Sequence, residues 1–241
     1  MKKALSLLLT ALLLCTLAAC GSRDVTPGTS ASHEPPQIAE LYNEDFDYTD
    51  GVGNSGHFTY RVPQIEADTP GAEAINKTIA EEYGPIVDGV LESVSEKVSI
   101  SCLYIAWETY QYDNILSLVV SCGWDADINS YNVYLYDTAS GRQLTTADLL
   151  KVLDMGETTF LEAVRKAAAD TFDNQYKDIS GSDFDEFLTE RRDWTLSDEN
   201  INMDAPAYVD AAGKLHVVLP IGSIAGADSY EQVLTLDTVN E

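Results

Sequence analysis

A chain of 241 residues with 14 basic and 40 acidic side chains carries a formal charge of −26, and 45% hydrophobic content with 9% aromatics excludes a disordered polymer. The acidic surplus repels phosphate backbones, so nucleic acid is excluded as a partner, and unassisted adhesion to anionic lipid headgroups is excluded with it. The length allows one large domain or two small ones.

The chain opens on Met1-Lys2-Lys3, an almost wholly apolar run from Ala4 to Leu14, and then Leu17-Ala18-Ala19-Cys20. A basic start, an apolar stretch and small residues before a cysteine make a bacterial lipoprotein signal. A membrane peptidase admits only small side chains beside its cut, and the Cys20 thiol takes up the diacylglyceryl group. Residues 1–19 therefore read as a signal peptide, with Cys20 as lipidation site and first residue of the mature protein. The apolar run is shorter than the ~20 residues of a spanning helix, and no second run follows. Two or more acyl chains hold a protein stably at a bilayer, which predicts a lipid-anchored protein on the extracytoplasmic face of the cell membrane. Loss of Lys2 and Lys3 with the signal takes the charge from −26 to −28.

Residues 21–37 are rich in Gly, Ser, Thr and Pro, with little to bury, and read as a tether. From Ile38 to Gly56 the chain is acidic with scattered Tyr and Phe, able either to dock or to stay mobile. Taken together, 20–56 is expected to be a lipidated cysteine and a flexible acidic tether. Phe58 to Val62 alternates as a strand, with Pro63 marking an edge or an end. Thr69-Pro70 opens a helix whose stripe Ala72, Ile75, Ile79, Tyr83 meets Gly84-Pro85 and resumes at Ile86, so one kinked helix or two consecutive ones are predicted.

Val98–Tyr110 and Ile115–Cys122 are β-rich runs around the turn-like Gln111–Asn114, and predict a long antiparallel hairpin. Centred on Tyr112, that hairpin sets Cys102 opposite Cys122, within disulfide reach; another loop length shifts them apart by a residue or two. With Cys15 lost and Cys20 acylated, these are the two thiols of the folded part, either bridged or left as ordinary buried thiols. Tyr131–Tyr136 is a third strand. Thr145 to Asp148 has capping-box spacing, Phe160 to Phe172 is an amphipathic helix, and Ser182 with Asp185 caps another. Strands return at Ala207–Val209, Leu215–Leu219 and Gln232–Leu236. Strands joined mainly by turns, with helices in blocks, predict an α+β fold with antiparallel sheets and packed helices.

Chemistry-bearing patterns are sparse. Asp125-Ala126-Asp127-Ile128-Asn129 opens like a calcium loop, but Ser130 replaces the turn glycine and Tyr136 the closing glutamate. Asp125, Asp127 and Asn129 thus stand as partial metal candidates beside a plain turn reading. His33, His57 and His216 are the histidines, and no HExxH, CxxC, GxSxG, P-loop or SxxK pattern occurs, so no catalytic residue and no cofactor are nominated. Trp107, Glu108 and Trp124 read either as a carbohydrate groove or as the core and rim of the hairpin sheet. The acidity itself has two readings, a solvated surface or a field for a cationic partner.

The order of short motifs resembles a known family. They are Tyr60-Arg61-Val62-Pro63-Gln64-Ile65, Ala74-Ile75-Asn76-Lys77-Thr78-Ile79, Tyr112-Asp113-Asn114-Ile115-Leu116-Ser117-Leu118, Asn132 to Asp137, Gly141-Arg142-Gln143-Leu144, Asp148-Leu149-Leu150, Gly213-Lys214-Leu215 and Ala225-Gly226-Ala227. Their spacing resembles the extracytoplasmic domain shared by RsiV-type anti-sigma factors and the N-terminal part of PdaC-type peptidoglycan deacetylases. The resemblance implies an α+β domain of two linked lobes, 57–140 with the long hairpin and 141–241, used for binding rather than turnover. RsiV-type proteins resemble lysozyme sensors. Here no membrane helix or deacetylase domain is read, and Gly123-Trp124-Asp125-Ala126-Asp127 stands where the family often has a Gly-Ala-His loop, so direct sigma-factor signalling is not expected. The expected function is a non-catalytic, lipid-anchored binding module whose partner is lysozyme, another cationic protein or a cell-wall ligand. The alternatives are a carboxylate- or metal-dependent enzyme acting on cell-wall glycan and a purely structural lipoprotein.

Overall fold

The computed structural model describes residues 35–124, 128–179 and 181–237. Their fold is α+β. Strands β1 (Gln37–Thr49), β2 (Ser55–Glu66), β3 (Cys102–Tyr112), β4 (Ile115–Trp124), β5 (Ile128–Asp137) and β6 (Arg142–Leu144) form one sheet in that order. Neighbours are antiparallel except β2 and β3, which the helix α1 (Pro70–Glu96) joins as a parallel crossover. Helices α2 (Thr146–Val152), α3 (Glu157–Tyr176) and α4 (Ser182–Thr195) precede a second, antiparallel sheet of β7 (Ala207–Val209), β8 (Leu215–Gly222) and β9 (Ser229–Thr235).

Helix α1 begins as its sequence dictates. The Thr69 hydroxyl accepts from Ala72 N–H, Pro70 occupies the first turn, and Lys97 closes the helix with φ of 58°. Ala72, Ile75, Ile79, Tyr83, Val87 and Val90 recur at three- and four-residue intervals and are buried against Tyr60, Val62, Leu116, Leu118 and Val120. Pro85 does not divide the helix. It removes one backbone bond, but Tyr83 and Val87 are both buried, and their packing outweighs that bond.

Alternate residues of β4 face opposite cores. Leu116, Leu118, Val120 and Cys122 belong to the cluster under α1, whereas Ile115 and Val119 pack in the cluster of Phe160, Val164 and Phe172 with Leu215, Val217 and Leu219 of the second sheet's inner face. Ser117 is the buried polar residue on that second face, and its hydroxyl donates to Val209 C=O at 2.9 Å, tying the two sheets together.

Several expectations are corrected. Residues 37–49 are not a tether: they form the edge strand β1, paired with β2 along its whole length. Tyr42, Phe46 and Tyr48 turn inward, and the Phe46 ring lies 6.1 Å from Phe58 and 6.0 Å from Tyr60. Asp45, Asp47 and Thr49 alternate outward. The first sheet runs past residue 140, because β6 pairs with β5 through Leu135↔Leu144. The cap of α4 is Gly181, with Ser182 already inside the helix. The capping box of Thr145 and Asp148 at α2 forms as expected.

The β3–β4 turn is the two-residue Asp113-Asn114, with Asp113 at φ of 47°, so the hairpin is not centred on Tyr112. Cys122 pairs with Ile105, and Cys102 with Trp124, across a bulge between Cys102 and Tyr104. The two cysteines are therefore diagonal neighbours, not directly opposed.

At the β1–β2 tip, burial works against ionisation of Asp50. Hydrogen bonds from Asn54 N–H, Ser99 Oγ, Asn54 Nδ2 and Val52 N–H outweigh it and bring the pKa to about 2 from an ordinary 3.8. A depressed carboxyl pKa stabilises the fold above 3.8, and that contribution is lost as pH falls from 3.8 toward about 2. Asp50→Asn should lower stability at neutral pH and flatten the acid limb of a pH–stability curve in that window, as read by urea unfolding. An unchanged acid limb would remove Asp50 from this role.

Two glycines of α1 make opposite predictions. A Cβ on Gly71 would sit 2.4 Å from Gln143 N and 2.5 Å from Gly141 O, whereas one on Gly89 meets nothing within 4 Å. Gly71→Ala should cost about 1–3 kcal/mol by forcing α1 off β6, and Gly89→Ala should add about 0.5–1 kcal/mol by relieving the helix of a flexible residue. Equal effects on the urea midpoint would contradict this packing.

Candidate ligand cleft

Strands β2 and β3 pair only through Thr59↔Tyr104 and Tyr60↔Ile105, and then separate. The reason lies in β2 and α1. Ile65 N–H donates to Asn76 Oδ1 at 2.8 Å, and Asn76 Nδ2 donates to Ile65 C=O at 2.9 Å, so the helix amide occupies the backbone edge that a continued ladder would use. Pro63, two residues earlier and on the same edge, has no N–H to offer. The parallel ladder ends before it reaches either residue.

A hollow of about 570 Å³ opens beside this separation, lined by Thr59 and Arg61 of β2, Tyr104 to Trp107 of β3, and Glu40 and Asp45 of β1. Tyr104 and Ala106 lie on one face of β3, while Ile105 and Trp107 pack with the α1 cluster on the other. A cavity on one face of an unbroken sheet would not touch both sets, so the hollow reaches into the gap between the strands. Its size is in the range of small-molecule sites.

Each wall has a local cause. The Tyr104 ring crosses Gly123, where a Cβ would stand 2.1 Å from its Cε1, and its hydroxyl donates to Asn129 Oδ1 at 2.7 Å. Arg61 has no ion-pair partner among the described residues. Asp45 lies 3.3 Å from His57 Nε2, and Asp47 3.0 Å from His57 Nδ1. These contacts are exposed, so they add little to stability and leave the carboxylates open to another cation. The Trp107 indole nitrogen is buried without a hydrogen-bond partner.

The residues singled out from the sequence are dispersed. Cys20, Asp125 and Asp127 lie outside the described residues, and Asn129 is engaged by Tyr104. No group of three or more His, Cys, Asp or Glu gathers as a metal site among the described residues. Trp107 and Trp124 pack on the α1 side, where Trp124 Nε1 donates to Ser130 Oγ at 3.0 Å, whereas Glu108 points to the other face and accepts from the Tyr110 hydroxyl. The three do not form one groove, because Glu108 and Trp107 are adjacent on a strand and must face apart. Arg61 and Tyr104 of the cleft fall within the β-rich runs Phe58–Val62 and Val98–Tyr110, but the separation that joins them has no local signal.

His216 sits between Asp210 and Thr235, with Nε2 3.1 Å from Asp210 Oδ2 and Nδ1 3.1 Å from Thr235 Oγ1, and its ring stacks on Tyr208 at 4.7 Å. Tyr208 on β7 and Thr235 on β9 are its direct cross-strand partners, so the sheet itself creates this array. Hydrogen bonds from the Lys214 N–H, then from His216 and Ala212 N–H, outweigh burial and lower the Asp210 pKa. Burial opposes ionisation of Asp137, and hydrogen bonds from Ser140 and Ala139 N–H overcome it. Asp148 and Asp173 are lowered chiefly by hydrogen bonds from Lys151 and Arg192. A general acid needs the opposite shift.

No protein-family model matches this chain, and no curated protein matches it. Among solved structures, it is similar to the crystal structure of a member of the DUF3298 family from Bacteroides fragilis, at 12% identity and a TM-score of 0.32, over 83% of this chain and 90% of that one. DUF3298 is the domain of the RsiV-type and PdaC-type N-terminal regions.

Proposed function

We propose that the chain is a lipid-anchored, extracytoplasmic binding module of the bacterial cell envelope, non-catalytic, with a cationic protein or cell-wall ligand as its partner. The observation that supports this reading most is charge. After the signal peptide is removed the formal charge is −28, and β1 alone presents Glu40, Glu44, Asp45 and Asp47 along an edge strand beside the cleft. The lipid supplies the membrane attachment that this surface opposes. An acidic field accelerates encounter with a cationic partner, and shape contacts then set residence time.

Anchoring is tested by a clickable fatty acid. It should label the wild-type chain and not Cys20→Ala, and equal labelling would remove Cys20 from this role. Binding is tested by surface-plasmon kinetics of residues 21–241 against lysozyme and an equally basic unrelated protein, from ~0.05 to ~0.5 M salt, over which the Debye length shortens severalfold. The association rate for lysozyme should fall steeply with salt while dissociation changes little, and Asp45→Lys with Asp47→Lys should slow association further. Equal weak binding to both proteins would reduce the acidity to a solvated surface. Release of glycan by the chain alone would make it an enzyme.

A further inference from the structure

We propose that Cys102 and Cys122 are a redox-active pair, in which Cys102 exchanges with a small-molecule disulfide and Cys122 resolves the product into an intramolecular disulfide. The first support is strand geometry. Ile105 and Trp107 face α1, and strict alternation would turn Cys102 to the opposite side of β3. The bulge between Cys102 and Tyr104 adds a residue and returns Cys102 to the α1 face, diagonal to Cys122. Both are buried at 2% exposure as free thiols, and the Cys102 thiol donates to Tyr104 C=O at 3.6 Å.

The second support is access, which the two thiols do not share. A hollow of about 260 Å³ between α1 and the end of the hairpin is lined by Pro85, Gly89 and Ser93 on the helix and by Ile100, Cys102 and Trp124 beneath it. Pro85 and Gly89 are four residues apart on one face, and Gly89 has no side chain to fill the space. Cys102 lines this hollow and Cys122 does not. The neighbouring Cys122 thiol eases ionisation of Cys102, outweighing burial, and the pairing with Cys102 together with burial pushes the Cys122 thiol up. Access through the hollow assigns the attacking role to Cys102.

The reaction balances as two exchanges. The Cys102 thiolate attacks one sulfur of R–S–S–R; a Cys102–S–R bond forms, the external S–S bond breaks, and R–S⁻ leaves to take up the proton that Cys102 lost. Cys122 then gives its proton to the departing group as its sulfur attacks Cys102 Sγ and expels the second R–S⁻ as thiol. Two protein thiols are oxidised to one disulfide, and one external disulfide is reduced to two thiols. An extracytoplasmic location, which rests on the separate reading of Cys20, is where such disulfides persist.

The test uses the full chain, reduced and then exposed to graded ratios of oxidised to reduced glutathione, quenched with maleimide and mapped by non-reducing peptide mass spectrometry. A linked Cys102–Cys122 peptide should form reversibly in folded protein, with a change in Trp124 emission following the same midpoint. Cys122→Ser should stop at Cys102 bound to glutathione, and Cys102→Ser should leave Cys122 at least ~tenfold slower to react. Alanine variants repeat the comparison if a serine variant does not fold. No linked peptide at any ratio in the folded wild type would overturn the pairing, and equal reactivity of the two single variants would overturn the assignment of roles.

Discussion

Strand β4 has almost no solvent face, and the arrangement of everything else follows from that constraint. Ile115 to Val120 are all buried, alternately toward α1 and toward the second sheet. A one-residue slip against β3 or β5 would exchange the two sets and place Ser117 among the α1 contacts. Ser117 is buried completely and bonded to Val209, so such a slip would also strand a hydroxyl in an apolar core. One strand thereby sets the register of the six-stranded sheet and the seat of the three-stranded one.

The parallel crossover supplies the exception to an otherwise antiparallel design. Because α1 must return the chain beside β2, the junction of β2 and β3 is the weak seam of the sheet, held by two residue pairs and by the Tyr60 hydroxyl, which donates to Cys102 C=O at 2.6 Å. Beyond it, Asn76 satisfies Ile65 from the helix, so the strand end is sealed without a neighbour. The Gln64-Ile65 and Ile75-Asn76 motifs are thus one physical unit. It ends the ladder and leaves the cleft.

Most elements were legible because their signals are local: the Thr69-Pro70 start, the stripe on α1, the Thr145–Asp148 box and the β-rich runs of the hairpin. The edge strand β1 was obscured by composition. Its inward Tyr42, Phe46 and Tyr48 carry an even spacing, but the acidic residues between them read as solvated coil. Two other features had no local signal at all. The bulge beside Cys102 and the two-residue turn at Asp113 are register choices, fixed by how both faces of β4 are buried, and the cleft depends on two strands failing to pair. Neither is written in any window of sequence.

The fold makes small use of the acidity. The ion pairs that hold surface elements together consume the scarce cations locally: Arg192 forks onto Asp173 at 2.7 and 2.9 Å between α4 and α3, Arg165 reaches Asp198 at 2.8 Å, and Lys166 reaches Asp170 at 2.8 Å on the same helix. These pairs are largely exposed and contribute little each. Among the described residues, buried carboxylate is confined to Asp50, which is satisfied by four hydrogen bonds and needs no cation. With 14 basic residues against 40 acidic ones, most carboxylates have no cation to neutralise them, and like charges at that density weaken a compact state instead of supporting it. The acidity is therefore a property of the surface that the folded core does not require.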